Sequence, residues 1–196
     1  MMKRRRQKRT DYKQRLALLR SSHPRLVVRK SLNSIHMQVV GFDGNTDRVM
    51  LESSAKELKK YGWLGHCGNT PAAYLAGLLF GAKAKKQGIK SLILDIGLQT
   101  SVKGSALYAA AAGARDAGIE IPIGNEIVPG KDRIGGKHIA DYASKLKKEN
   151  ADKYKKQFSS YIKAGVEPEK ITDHFNDVRK KIADEFGDSK KENENE

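Results

Sequence analysis

Between Arg25 and Glu52 the chain alternates apolar and polar residues with a period of two. In Arg25 to Lys30 (RLVVRK), Leu26 and Val28 fall on one face and Arg25, Val27 and Arg29 on the other. Ile35 to Val40 (IHMQVV) sets Ile35, Met37 and Val39 against His36, Gln38 and Val40, and Arg48 to Glu52 (RVMLE) continues the apolar face with Val49 and Leu51. That period is the signature of half-buried strands. The connections are short and the second carries the turn pair Asp43-Gly44, so the pattern predicts an antiparallel meander. One face is apolar and needs a cover. The other mixes Arg25, Arg29, His36 and Gln38 with Val27 and Val40, a composition suited to a polar partner.

The period then lengthens. Thr70-Pro71 reads as a helix start, with Thr70 capping and Pro71 in the first turn, where its missing N–H costs nothing. The helix runs to about Gln87 and stops at Gly88, with Lys83, Lys85 and Lys86 near the negative end of its dipole. Gly77 and Gly81 inside it each cost about 1 kcal/mol against Ala, so they are expected to permit close approach, here to the sheet. Ser91 to Ile96 (SLILDI) is a buried strand, and Gly104 to Ala117 a second close-packed helix ending at Gly118. Ile119 to Ile123 is at most a short strand, limited by Pro122. The order βββαβα predicts a mixed α/β fold, a sheet with helices packed on it.

From Lys137 the chain is helical and highly charged. Ile139 to Lys148 and Ala151 to Lys163 are two segments, the latter carrying Tyr154, Phe158 and Tyr161 at helical spacing. Glu167-Pro168-Glu169 starts a third, in which Ile171, Phe175, Val178, Ile182 and Phe186 form a stripe at steps of three and four, a core or docking face. The expected organisation is a basic arm and short helix over residues 1–20, an α/β core over 21–136, a helical extension over 137–187 and a solvated tail over 188–196.

Charge changes the picture most. The 196 residues carry a net charge of +15, which implies an acidic partner, nucleic acid or an anionic membrane surface. Residues 1–30 hold 12 Lys and Arg against the single acid Asp11, residues 31–140 hold 13 against 9, and residues 141–196 hold 13 against 13. So +11 sits in the first 30 residues, where it would repel itself without a polyanion. Met1 to Thr10 has almost no apolar content and is expected to be disordered in the free protein. Asp11 to Arg20 (DYKQRLALLR) reads as a short helix capped by Asp11 or Thr10, with Tyr12, Leu16 and Leu19 on one side and Lys13, Arg15 and Arg20 on the other. That helix is too short and weakly apolar to hold a membrane surface, and no apolar run reaches spanning length. One cysteine, Cys67, fits a reducing compartment and reads as an ordinary packed thiol.

Candidate chemistry adds little. Asp95 ends a buried strand, a usual place for a catalytic carboxylate, but also a routine cap or turn position, and no second carboxylate or His lies near it in sequence. Gly130 to His138 (GKDRIGGKH) resembles a phosphate loop but lacks the Lys-Ser/Thr pair after the last glycine, and reads as a flexible basic loop. The five His residues lack metal-site spacing, so no zinc site is expected. Trp63 to Asn69 (WLGHCGN) is either a linker or a loop offering backbone N–H groups to phosphate. Basic side chains beside stacking groups such as Tyr12 and His36, with no groove-reading DNA motif, favour RNA.

Several blocks carry a resemblance. Thr10-Asp11-Tyr12, Arg15-Leu16 and Pro24 to Ser31 are similar to the opening of the archaeal and eukaryotic large-subunit ribosomal protein that binds 5S rRNA, the L eighteen family. Glu57 to Trp63, Gly68 to Leu75, Leu94 to Leu98 and Asp116 to Ile119 follow in the same order, so the similarity covers about residues 3–145. The chain departs from the family pattern at Gln87 to Lys90, which is less charged, and at His66-Cys67. The resemblance implies a non-enzymatic ribosomal constituent in the cytoplasm, without catalytic residues or a cofactor, that joins 5S rRNA to large-subunit rRNA in the central protuberance, beside neighbouring ribosomal proteins and away from membranes. Carried over, the RNA-contacting set is Arg4, Arg5, Arg6, Lys8, Arg9, Tyr12, Arg15, Arg25, Arg29 and Lys30. Lys13, Arg20 and His36 join it from the charge pattern; Asn69 and Thr70 belong to it as well, although capping explains them equally.

Overall fold

The computed structural model describes residues 3–7 and 9–187. The expected solvated tail, 188–196, lies outside the described residues, as does part of the arm expected to be disordered; within that arm Lys3–Arg6 forms one helical turn, α1. Helix α2 (Tyr12–Leu19) follows, capped by Asp11, whose carboxylate accepts from the Lys13 and Gln14 amides at 2.9 and 3.1 Å.

Strands β1 (Arg25–Lys30), β2 (Ile35–Phe42) and β3 (Asp47–Ser54) form the expected antiparallel meander. Beyond helix α3 (Thr70–Lys86), strand β4 (Ile93–Asp95) joins β1 in parallel, giving one four-stranded mixed sheet of order β3-β2-β1-β4. Leu26, Val28, Ile35, Met37 and Val39 are fully buried, as their alternation requires. The pattern breaks in β3. Val39 pairs with Leu51 but Val40 pairs with Val49, so Met50 is an extra residue and a bulge throws the alternation out of phase. Val49 therefore shares the outer face with Val40 and is half exposed, not on the core face with Leu51. Ser91 to Glu120 is a single bridge, and Ile119 to Ile123 forms no strand.

The cap of α3 is Asn69, one residue earlier than expected: its side-chain oxygen accepts from the Ala72 amide at 2.9 Å, which leaves Thr70 buried in the first turn. The close approach that the glycines permit is to helix α4 (Ala106–Asp116), not to the sheet. A Cβ on Gly77 would stand 2.0 Å from the Ala110 carbonyl oxygen, and one on Gly113 2.2 Å from that of Tyr74. Two small-residue faces thus bring the helix backbones into contact, and the pair covers the apolar side of the sheet in one core.

Gly130 to His138 is helical, not a flexible loop. Helix α5 (Lys131–Ile134) turns through Gly135 and Gly136 into α6 (Lys137–Glu149). Gly136 has φ +86°, and a Cβ there would press on Pro71 and Ile171 at 3.1 and 3.2 Å, so this corner is packed against protein. The expected helix over 151–163 is broken at Phe158 into α7 (Ala151–Gln157) and α8 (Ser159–Lys163). Phe158 is buried with Ala143 and Leu146 in a small second cluster, its ring 5.4 and 5.9 Å from those of Tyr154 and Tyr161. In α9 (Ile171–Gly187), Ile171, Phe175, Val178 and Ile182 are buried and belong to the same core as the sheet and α3.

Candidate nucleic-acid interface

Helix α2 lies over the outer face of the sheet, and a cleft of about 620 Å³ opens between them. The cleft has an apolar floor of Val27, Val40 and the bulge-displaced Val49, walled by Arg9, Tyr12, Arg29 and Lys30. The helix turns the expected side inward at Tyr12 and Leu19, but Leu16 and Arg15 exchange places. Leu16 is 57 % exposed, whereas Tyr12, Arg15, Leu18 and Leu19 are half-buried.

Arg15 faces inward because it has a partner there. Its guanidinium forms a two-pronged bond to the Asp47 carboxylate, at 2.7 and 3.0 Å. Asp47 also accepts from Arg25 at 2.8 Å; Arg25 donates to Asp95 at 2.9 Å; Asp95 accepts from Arg29 at 2.9 Å. Three cations and two carboxylates therefore alternate in one ladder across the outer face. Arg25 is only 4 % exposed, and so needs both carboxylates to offset the loss of water. Arg29 remains the accessible end, its side chain 44 % exposed, held also by the Asp95 carbonyl at 2.7 Å. Gly97 makes room for it: φ is +61°, and a Cβ there would lie 2.8 Å from the guanidinium carbon.

Asp95 is fully engaged by this arrangement. One oxygen takes Arg25, and the other takes Arg29 and the Gly97 amide at 2.9 Å. With its oxygens committed to two cations and an amide it serves as an anchor rather than as an acid or base. Among the described residues no group of three or more His, Cys, Asp or Glu could hold a metal ion. Nor is any described helix long and apolar enough to cross a membrane.

The other expected residues divide. Arg6, Arg9, Lys13 and Arg20 are exposed. Arg4 and Arg5 lie in α1, but their side chains lie outside the described residues, as does Lys8 altogether. Lys30 is exposed at the end of β1, where Gln99 brackets its backbone with bonds of 3.1 and 2.7 Å. His36 is exposed opposite Arg29 in the strand register.

Asn69 and Thr70 are not brought to this cleft. Asn69 caps α3 and donates to the Tyr161 hydroxyl at 3.2 Å. The Trp63 to Asn69 loop is neither a linker nor a phosphate cradle. Trp63 is buried and stacked on His174, with ring centroids 5.1 Å apart. The Leu64 amide donates to His174 Nε2 at 3.0 Å, and the His66 amide to the Tyr161 hydroxyl at 3.2 Å. Burial holds His174 below the usual imidazole range, consistent with a neutral ring accepting that bond. Burial likewise pushes the Cys67 thiol up, so it is the packed thiol expected. Of the two residues that depart from the family pattern, His66 is exposed and gives only its backbone amide to Tyr161, while Cys67 is buried in the core.

Sequence reasoning missed Asp47. It follows a turn and looks like turn chemistry, and its partner Arg15 is 32 residues away. The family described as "Ribosomal large subunit proteins 60S L5, and 50S L18" matches residues 1–91. A relative from Methanococcus maripaludis, "Large ribosomal subunit protein uL18", is 49 % identical over 180 residues, covering 92 % of this chain and 93 % of the relative.

Proposed function

We propose that this chain, which belongs to the L18 family of large-subunit ribosomal proteins, binds 5S rRNA and helps join it to large-subunit rRNA in the central protuberance. Membership makes it a structural, non-enzymatic constituent of the large ribosomal subunit, at work in the cytoplasm. The observation that carries RNA binding is the concentration of +11 in residues 1–30, beside an open cleft whose rim is basic; the choice of 5S rRNA rests on the similarity of the residue blocks to the L18 family. Cations neutralise phosphates and release condensed counterions, which makes affinity salt-dependent. An apolar floor flanked by Tyr12 offers unpaired bases a surface to stack on, and the exposed His36, paired with Arg29 across the strands, adds a second ring beyond the cleft.

Within that reading the basic residues have two duties. Arg4, Arg5, Arg6, Lys8, Arg9, Lys13, Arg20, Lys30 and His36 contact RNA, with Arg29 as the cation shared between ladder and ligand. Arg25 acts from beneath, holding the carboxylates. Asn69 and Thr70 serve the fold, and the C-terminal helices face ribosomal protein neighbours.

The test is a salt series of 5S rRNA binding by the full chain and by a chain lacking residues 1–9. The full chain should show log K falling by about 0.7–0.9 per phosphate neutralised. Removing the six cations of residues 1–9 should weaken binding and flatten that slope. Equal affinity and equal slope would overturn the arm's role.

A further inference from the structure

The ladder on the outer face contains an acidic residue whose place is hard to explain in a surface built for a polyanion. Asp47 stands between Arg15 and Arg25, with its side chain 31 % exposed beside the cleft. A carboxylate there repels phosphate. Yet it is held rigidly, since Arg25 donates to it at 2.8 Å and is itself fixed by buried Asp95.

What Asp47 holds is α2. That helix has eight residues and buries none of them. So short a helix is marginal in water, and its half-buried Leu18 and Leu19 supply contact without direction. The two-pronged Arg15–Asp47 bond does fix direction, because a planar guanidinium meets a carboxylate in one plane. The chain leaves α2 toward its beginning at Asp11, and Arg9 already lies against the cleft. Whatever orients α2 therefore orients the cationic arm.

We propose that Asp47 is a positioning residue for RNA binding: by clamping Arg15 it sets α2, and through it the arm, in the orientation that engages phosphate. This rests on the 5S rRNA reading above. Its consequence runs against simple electrostatics. Neutralising Asp47 raises the net charge of the protein and should tighten its grip on a polyanion if charge alone mattered. A clamp predicts a weaker grip, because an undocked arm must be ordered again on each binding event.

The experiment compares wild type, Asp47→Asn, Asp47→Glu, Arg15→Gln and the Asp47→Asn/Arg15→Gln double variant across a salt series with 5S rRNA. Thermal unfolding of each checks that the body stays folded. Asp47→Asn should bind about fivefold more weakly, the scale of one well-formed surface ion pair, with an unchanged salt slope. Asp47→Glu should recover most of the loss. Arg15→Gln should match Asp47→Asn and add nothing to it in the double variant.

Equal or tighter binding by Asp47→Asn would overturn the proposal and make Asp47 a mask. A reduced slope for Arg15→Gln in both backgrounds would also overturn it, because Arg15 would then touch phosphate directly. Should Asp47→Asn melt the fold, Arg15→Gln decides alone: weaker binding at unchanged slope supports the clamp, and no loss or a smaller slope refutes it. Failure of the wild type to bind 5S rRNA would sink the functional reading instead, which separates the two.

Discussion

Gly77→Ala isolates the contact on which the helical layer depends. Taken alone, the substitution should help, since Ala favours a helix interior over Gly by about 1 kcal/mol. The packing opposes it. The new Cβ would stand 2.0 Å from the Ala110 carbonyl oxygen, against about 3.3–3.6 Å for an ordinary carbon–oxygen contact. Helix α4 must therefore retreat by about 1.3 Å, and the obstruction is backbone, which has no rotamer to escape into. Overpacking of this kind costs about 1–3 kcal/mol. A rigid obstacle argues for the upper end, so the net destabilisation is about 2 kcal/mol, or a drop in Tm of about 4–8 °C for a chain of this length. Thermal unfolding followed by far-UV circular dichroism measures it. An unchanged or raised Tm would mean that α3 and α4 do not touch at this glycine.

Two further outcomes follow from the geometry. Asp95→Asn takes a counter-charge from Arg25, which is 4 % exposed, and Asp47 remains only as a partial substitute. Urea unfolding should show a loss of about 3 kcal/mol, the low end for breaking a buried pair; a loss below about 1 kcal/mol would show that Arg25 finds water. His174 titrates lower in the folded chain than its ordinary 6.5, mainly because of burial. The unfolded chain therefore binds its proton first, so the stability that His174 contributes is complete above about pH 6.5 and is lost as the pH falls through the lower folded value. His174→Phe keeps a ring against Trp63 but removes the titration, and should flatten the fall in stability on acidification; an unaltered pH profile would reassign it to another group.

The sheet was legible because its signal is local. Leu26, Val28, Ile35, Met37 and Val39 alternate, and alternation needs no knowledge of the partner strand. Val49 broke the rule because a bulge is decided between two strands, and nothing within RVMLE announces the extra residue. The glycines of α3 declared a close approach but not to what, since a missing Cβ carries no address. Asn69 and Thr70 were adjacent capping candidates, and the backbone chose the earlier one.

The candidate site divides in the same way. The run of cations from Lys3 to Arg9 is visible in composition, and the exposed positions keep their solvent. The inner cations change meaning once buried. Arg25 looked like a ligand-facing residue from its place in the alternation, and tertiary structure gives it two carboxylates and almost no water. Asp47 had no signal at all, because its partners lie 22 and 32 residues away. The Trp63 to Asn69 loop needed knowledge of α8 and α9 before its free amides could be assigned.

The stack of Trp63 on His174 has a temporal side. Leu64 and His174 are 110 positions apart, an interval that takes roughly 5–20 s to synthesise at common elongation rates. Once α3 and β4 have been made, they and the rest of the sheet still lack the face that Phe175, Val178 and Ile182 supply, so Tyr74, whose ring packs on Phe175, waits with an uncovered side. The cationic arm, made first, is exposed from the outset. The nascent chain thus passes through a period as a polycation with an open core, and a chain interrupted before Ile182 would remain in that state.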